Sequence, residues 1–391
     1  MTSAVRLLTR LFDLLSSLGL ACVLIVLLFA LTYLGTLYQV DHGLYEAQKT
    51  YFDSWWLVQQ VGPVPVPLPG GLAVMSLLFV NLLIGGVVRL KFTRRRIGIL
   101  VTHAGILLLL LAGFVKFAYA EEGALRLYEG DHSAAYRSYY DWEIALIERL
   151  PDGGAHEYVI PQGRFRSLAD ERTVTFEHAS IPFALEVSAY VPNARPLPKG
   201  PMFEVKVPVV DGFFLQEQPL AIEAEVNLAG CYATLRDGAG ETLEEGILWG
   251  GALAPWVVDA GGRPWVIELR KKRMPLPFDV TLDSTQRTRY PGTTKPRTFS
   301  SNVTVVDPNA TQDVLIQMNE PLRHKGFVLF QSGWGPEEPR PGDRLFSVFS
   351  VVRNPADQWP LYACIIIAAG LLIHFSQALA RHVRRETGAS S

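Results

Sequence analysis

Four uncharged apolar blocks constrain this chain more than any other feature. No charged residue falls between Leu14 and Val40, and the run LLSSLGLACVLIVLLFALTYLGTLY is long enough to cross a hydrocarbon core of roughly 30 Å. A second neutral run ends at Val88 and turns helical near Gly71, after the series Pro63, Pro65, Pro67 and Pro69. The third covers Ile97 to Val115, and the fourth, WPLYACIIIAAGLLIHFSQALA, lies between Asp357 and Arg381. The pattern predicts a membrane protein with four transmembrane α-helices, three N-terminal at about 14–38, 71–90 and 97–117 and one C-terminal at about 359–380. A cleaved signal peptide would be shorter than the first block and would show a small-residue cleavage pattern before Asp41.

The 391 residues are 49% hydrophobic with a net charge of -2, but these averages mix a greasy membrane part with an ordinary polar domain. The boundaries expected are a membrane part at 1–118, an exported domain at 119–357 and the last span with its tail at 358–391. Basic residues set the orientation. Arg6 and Arg10 precede the first span, Lys91 and Arg94 to Arg96 fill the loop between spans two and three, and Arg381, Arg384 and Arg385 follow the fourth. With alternating spans all of them fall on one side, so both termini are expected in the cytoplasm. The large domain and the loop at about 41–70 are then periplasmic, across a bacterial inner membrane.

Cys22, Cys231 and Cys364 form no Cys-x-x-Cys, so the chain encodes neither a disulfide framework nor a thioredoxin-like dithiol. No nucleic-acid partner is expected from the charge balance.

The exported segment reads as all-β and sandwich-like. In IPFALEVSAYVP, Phe183, Leu185, Val187 and Val191 alternate with Glu186, Ser188 and Tyr190, the period of a half-buried strand. TVTFEH, FEVKVPVV, WVIELRKK, FDVTLD, NVTVV, VLIQM, FVLFQS and LFSVFSVV repeat the theme, separated by turns such as RDGAG, DAGGR and DPNATQ. Two basic groups, Arg270 to Arg273 and then Arg287, Arg289, Lys295 and Arg297, are read as solvated strand ends and loops. The competing reading has them face anionic lipid, haem propionates or an acidic partner. His132, His156, His178 and His324 show no ligand or triad spacing.

Two ionisable residues lie well inside the spans, His103 and His374. Each is seven residues from an arginine at the same face, Arg96 and Arg381, which predicts a similar depth, roughly 10 Å past the basic groups. A proton relay, a metal ligand, a haem axial ligand and a neutral imidazole bonded to a neighbouring helix all fit such residues. The spans bring no Asp or Glu for a relay, and Cys364 is ten residues from His374, too far along one helix for joint ligation. No metal other than a haem iron is expected. Gly105, Gly113, Ala368, Ala369 and Gly370 would let a flat macrocycle approach, or let helices pack closely.

LPFDVTLDSTQRTRYPGTTKPRTFSSNVTVVD, VLIQMNEPLRHKGFVLFQSGW and FSVFSVVRNPADQWPLYACIIIAAGLL together resemble the ResB, or CcsB, family of cytochrome c biogenesis proteins. The elements that carry the likeness are Leu276-Pro277-Phe278, Tyr290-Pro291-Gly292, Met318 to Leu322, Gln331-Ser332 and Arg353-Asn354-Pro355. The resemblance implies delivery of haem across the membrane for attachment to apocytochrome c. It also implies haem b bound transiently and shared with a ResC, or CcsA, partner that carries a Trp-Gly-x-x-Trp-x-Trp-Asp motif. This chain lacks that motif; DSWW at 53–56 and ILWGGALAPW at 247–256 do not match it. The chain is then no enzyme alone but a subunit of a ligation complex, with no catalytic residue of its own and with apocytochrome thiols kept reduced by another protein. A transmembrane histidine in the family is associated with a haem site near the inner face, and His103 matches it by position and depth. The family offers no role for His374; its expected depth, level with His103, makes it a second candidate ligand of the same haem. The rival reading is a membrane-anchored β scaffold that assembles a partner complex without touching haem.

Overall fold

The computed structural model describes residues 3–151, 153–168, 172–200, 205–293 and 296–389. It divides into two compact units, Met1–Ala120 with Arg353–Ser391, and Glu121–Val352.

In the first unit four helical segments are long and apolar enough to cross a membrane: Leu18–Phe52, Gly71–Val88, Arg94–Tyr119 and Trp359–Glu386. The protein is a multi-pass membrane protein. Its α-helices are α1 (Ser3–Leu15), α2 (Leu18–Ala47), α3 (Gly71–Asn81), α4 (Ile97–Tyr119) and α5 (Trp359–Ala389). The expected first span, written from residue 14, is two helices. Ser17 is extended (φ -80°, ψ 142°) and its hydroxyl accepts the Leu20 N–H, capping α2 on a new axis. Leu14 and Leu15 therefore belong to α1.

At its far end the span continues past the expected loop start through a break at Gly43 (φ 81°) and a π-helical turn, Gln48–Phe52. Glycine is what the positive φ requires. A hairpin, Trp56–Val61 with Val64–Pro69, fills the rest of the loop. Pro65, Pro67 and Pro69 alternate, so their missing N–H groups fall on one edge of a two-stranded ribbon.

The α4 and α5 helices meet backbone to backbone. A Cβ on Gly98 would lie 2.5 Å from His374 N, one on Gly370 2.5 Å from Thr102 N, and one on Gly105 3.0 Å from Ala363 O. Gly105 and Gly370 thus serve helix packing, the use that small residues have between membrane helices. Gly113 has open space around it, and Ala368 and Ala369 are exposed.

Among the described residues the second unit is all-β apart from single 3-10 turns. Its large sheet has ten strands and a main path of eight: Ala310–Gln317, Pro296–Asp307, Arg263–Arg289, His132–Arg149, Glu121–Tyr128, Phe346–Arg353, Phe327–Gly335 and Leu322–His324. Trp256–Ala260 and Ala155–Pro161 complete it. A four-stranded sheet runs Thr242–Trp249, Gly230–Arg236, Ala184–Val191 and Thr173–Phe176. One apolar core lies between the two sheets and includes Trp142, Ile144, Leu185, Cys231 and Trp265. The other forms within the large sheet around Met274, Phe278, Leu282, Val303, Leu329 and Phe349.

Two long strands, His132–Arg149 and Arg263–Arg289, contribute to both cores. On the second of them Trp265, Ile267 and Leu269 point into the first core, and Met274, Leu276, Phe278, Val280 and Leu282 into the second. The buried parity changes from odd to even across Arg270 to Arg273, where the pairing register also shifts. The basic run therefore marks the seam between the cores.

Two expectations change here. In FEVKVPVV, Phe203 and Glu204 lie outside the described residues, and the rest, Val205 to Val210, forms no strand beyond a single bridge from Val210 to Phe213. In Ala184–Val191 the alternation breaks at Ala189 (φ 47°), so Tyr190 is buried and Val191 is not. The register against Gly230–Arg236 slips at the same place, as a bulge requires.

The helix crossing yields a direct prediction. Gly98→Leu and Gly370→Leu force backbones apart and are expected to lower the stability of the detergent-solubilised protein by about 1–3 kcal/mol or more. Gly113→Leu, in open space, is expected to leave the thermal unfolding curve in place.

Candidate functional site

The second span sets up the geometry around His103. The helix α3 passes at Asn81 into a π-helical segment, Leu82–Val88, that carries Gly85 and Gly86. At its end the Arg89 N–H bonds the Ile84 carbonyl and the Leu90 N–H bonds the Val87 carbonyl. The Gly86 carbonyl meets His103 Nδ1 on α4 at 2.8 Å. A carbonyl only accepts, so Nδ1 carries the proton, and in the neutral ring Nε2 keeps its lone pair. Gly86 must be glycine for this contact: a Cβ there would lie 2.6 Å from His103 Nδ1 and 2.8 Å from Leu82 Cδ1.

Asn81, 6% exposed, holds the other end of the arrangement. Its Nδ2 donates to the carbonyls of Leu15 (2.8 Å) and Ser17 (3.0 Å), the groups exposed by the break between α1 and α2. Gly85 lies against the same link, since a Cβ would come 2.7 Å from Ser16 O. Arg89 then bonds Asp13 at 3.0 Å and lies over the Phe12 ring, 5.8 Å from its centroid. Neither Asn81 nor Gly86 is among the residues singled out by sequence. The signal available was an amide followed at short spacing by Gly-Gly in an otherwise featureless apolar run.

His374 lies elsewhere. Its backbone sits at the α4–α5 crossing beside Gly98, and its Nδ1 is buried without a hydrogen-bond partner among the described residues, as is Gln377 Oε1. Gln377 Nε2 donates to Arg94 O at 3.1 Å. Pairing with Gly98 puts His374 five residues nearer the basic loop than His103, or about 7 Å at helical rise, so the two are not level. Around α4, His103 points about 140° away from Gly98. The two histidines serve different helix interfaces.

In the β unit every histidine has a local partner. His132 pairs with Asp279 at 3.1 Å, His156 with Glu148 at 3.4 Å, and His178 Nδ1 accepts the Ser180 N–H at 3.2 Å. His324 Nε2 donates to Asp307 at 2.8 Å, its Nδ1 receives Gln312 Nε2 at 3.2 Å, and its ring meets Phe278 edge-on at 4.9 Å. The Asn309 backbone N–H, with His324 and Lys325, holds the Asp307 carboxyl far below the ordinary carboxylate range. No group of three or more potential metal ligands occurs among the described residues.

The basic run at the seam is half solvated: Lys272 and Arg273 are exposed, whereas Arg270 and Lys271 are drawn in. Arg270, 11% exposed, bonds Glu143 at 2.9 Å, Glu268 at 2.8 Å and also Glu157. Burial opposes its charge, and the three carboxylates outweigh that and hold the guanidinium protonated. Lys271 donates to Tyr139 O at 2.7 Å and lies 4.3 Å from the Trp142 ring centroid. Burial brings its pKa down to about 8, against the pull of Glu225 and Asp141. Of the second basic group, Arg287 stacks 3.7 Å from the Trp334 centroid, and Lys295 lies outside the described residues. Trp55 and Trp56 are exposed, whereas Trp249 and Trp256 pack against the cores.

Residues 257–342 match the family model described as the ResB-like family. Over 373 residues the chain is 24% identical to Protein NrfI of Wolinella succinogenes, covering 93% of this chain and 35% of that protein. The chain thus spans about a third of this relative's length. The family match takes in the whole of Arg263–Arg289, including the seam, and most of the strands around the second core.

Two titrations follow from the β unit. Lys271 is expected to react with an amine acylating reagent with a half-point near pH 8, read by peptide mass spectrometry. Because the Asp307 carboxyl is more acidic folded than unfolded, its contribution is present above the unfolded value and lost as pH falls below about 4. Asp307→Asn is expected to lower stability at pH 7 and to flatten the acid limb of a denaturation series.

Proposed function

We propose that this ResB-like chain is a subunit of a membrane complex for cytochrome c biogenesis, where it helps carry haem across the bilayer for attachment to apocytochromes c. The observation that supports the reading most is the bond between His103 Nδ1 and the Gly86 carbonyl. It fixes the tautomer and orientation of the ring and leaves Nε2 as a ligand, the outer-shell arrangement common for metal-binding histidine. His103 is partly exposed among helices, so an iron held by a partner can be reached from outside the chain.

Haem, when bound, supplies the iron that takes the imidazole nitrogen and the vinyl groups to which apocytochrome thiols add. This chain's part is positional. His103 offers Nε2, Gly86 holds the proton on Nδ1, and Asn81 and Gly85 tie the segment to the start of α2. His374 has no share in that site, since its backbone packs on the other side of α4. A ResC-like or CcsA-like partner with the tryptophan motif provides the remaining haem contacts, and apocytochrome c meets the exported domain. A separate thiol-reducing protein keeps the apocytochrome cysteines reduced, because the chain's three cysteines are all free and Cys231 is buried. The basic residues flanking the spans support cytoplasmic termini and an outside β unit in a bacterial inner membrane.

The test is the reduced-minus-oxidised visible spectrum of the chain purified with its partner. His103→Ala is expected to lose or shift the haem signal, and His374→Ala to keep it. Gly86→Ala, which displaces the ring and keeps the ligand, is expected to weaken haem retention about tenfold. Full haem in all three variants leaves the scaffold reading in place of this one.

A further inference from the structure

We propose that α1 is an in-plane helix seated in the headgroup layer of the membrane leaflet at the Arg89–Arg96 end of the spans, with anionic lipid as its ligand. On a helical wheel Val5, Leu7, Leu8, Leu11, Phe12, Leu14 and Leu15 fill one half, and Arg6, Thr9, Arg10 and Asp13 fall in the other. The large apolar side chains are exposed: Leu7 69%, Leu8 65%, Leu14 57% and Leu11 50%. Water is a poor solvent for such a face, and burying it in the acyl boundary suits a helix of this pattern.

The position of the helix selects lipid as the occupant. Two residues, Ser16 and Ser17, separate α1 from α2, which keeps α1 at the end of the first span. Asn81 binds both ends of that link, and Arg89 holds Asp13 at 3.0 Å, which fixes α1 at the level where the second span ends. The Asp13 charge is answered within the chain, so Arg6 and Arg10 are left for phosphate groups. By the distribution of basic residues they share a membrane side with Lys91 and Arg94 to Arg96, and such a basic side favours an anionic leaflet. Because Asn81 and Arg89 flank the Gly86 carbonyl in the chain, seating of α1 also steadies the segment that holds His103.

Spin labels test the proposal on the full chain. With the three native cysteines replaced, L8C, L11C, R6C and T9C are labelled and the protein is reconstituted in phosphatidylethanolamine and phosphatidylglycerol vesicles. Relaxation by oxygen is expected to exceed relaxation by a water-soluble nickel chelate at positions 8 and 11, with the order reversed at 6 and 9. Lowering the phosphatidylglycerol content is expected to shift positions 8 and 11 toward nickel accessibility. Water-like ratios at all four positions would overturn the proposal, as would shielding of 8 and 11 from both reagents, which would mean that protein covers the face.

Discussion

Inside a bilayer a backbone carbonyl or N–H without a partner is costly, and the membrane unit is arranged around the few places where helices interrupt their own ladders. The break between α1 and α2 exposes the carbonyls of Leu15 and Ser17, and Asn81 answers both. The π-helical end of the second span offers the Gly86 carbonyl, and His103 answers it. The two repairs lie five residues apart on one helical segment. The second span is therefore the member that links the α1–α2 corner to the imidazole.

The β unit meets a different constraint, that of joining two cores with continuous strands. A strand that serves both cores in strict alternation keeps one parity, so Arg263–Arg289 needs a register shift to change the face it buries. At that shift the partner strand accommodates extra residues around Ser138, whose hydroxyl accepts the N–H groups of Tyr140 (3.3 Å) and Asp141 (3.1 Å). Arg270 occupies the seam with three carboxylates around it. Such a group satisfies many donors and acceptors at once where apolar packing is interrupted, and removing one member leaves a buried charge without its counterion.

The spans and most strands were legible because their signals are periodic or compositional. Uninterrupted apolar runs gave the four helices, and alternation gave strands such as Phe346–Arg353. What escaped was set by contacts between distant segments. Tyr190 reads as a surface residue until Ala189 takes a positive φ and inserts a bulge. Arg270 reads as a solvated strand-end residue until Glu143 and Glu157 arrive from strands more than a hundred residues earlier in the chain. His103 stood out as an ionisable group in an apolar helix, yet its orienting partner is a carbonyl, which no side-chain pattern announces.

The same logic separates the two faces of α4. Gly98, Thr102 and Gly105 are given to close contact with α5, where bare backbone and small side chains are what the short approach permits. That contact leaves the opposite side of the helix free of α5, and there the imidazole projects toward the second span. Spacing along the sequence placed His103 and His374 at one depth and left the azimuth open. The glycines decide the azimuth, because they fix which side of α4 must meet α5, and His103 lies on the other side, against the second span.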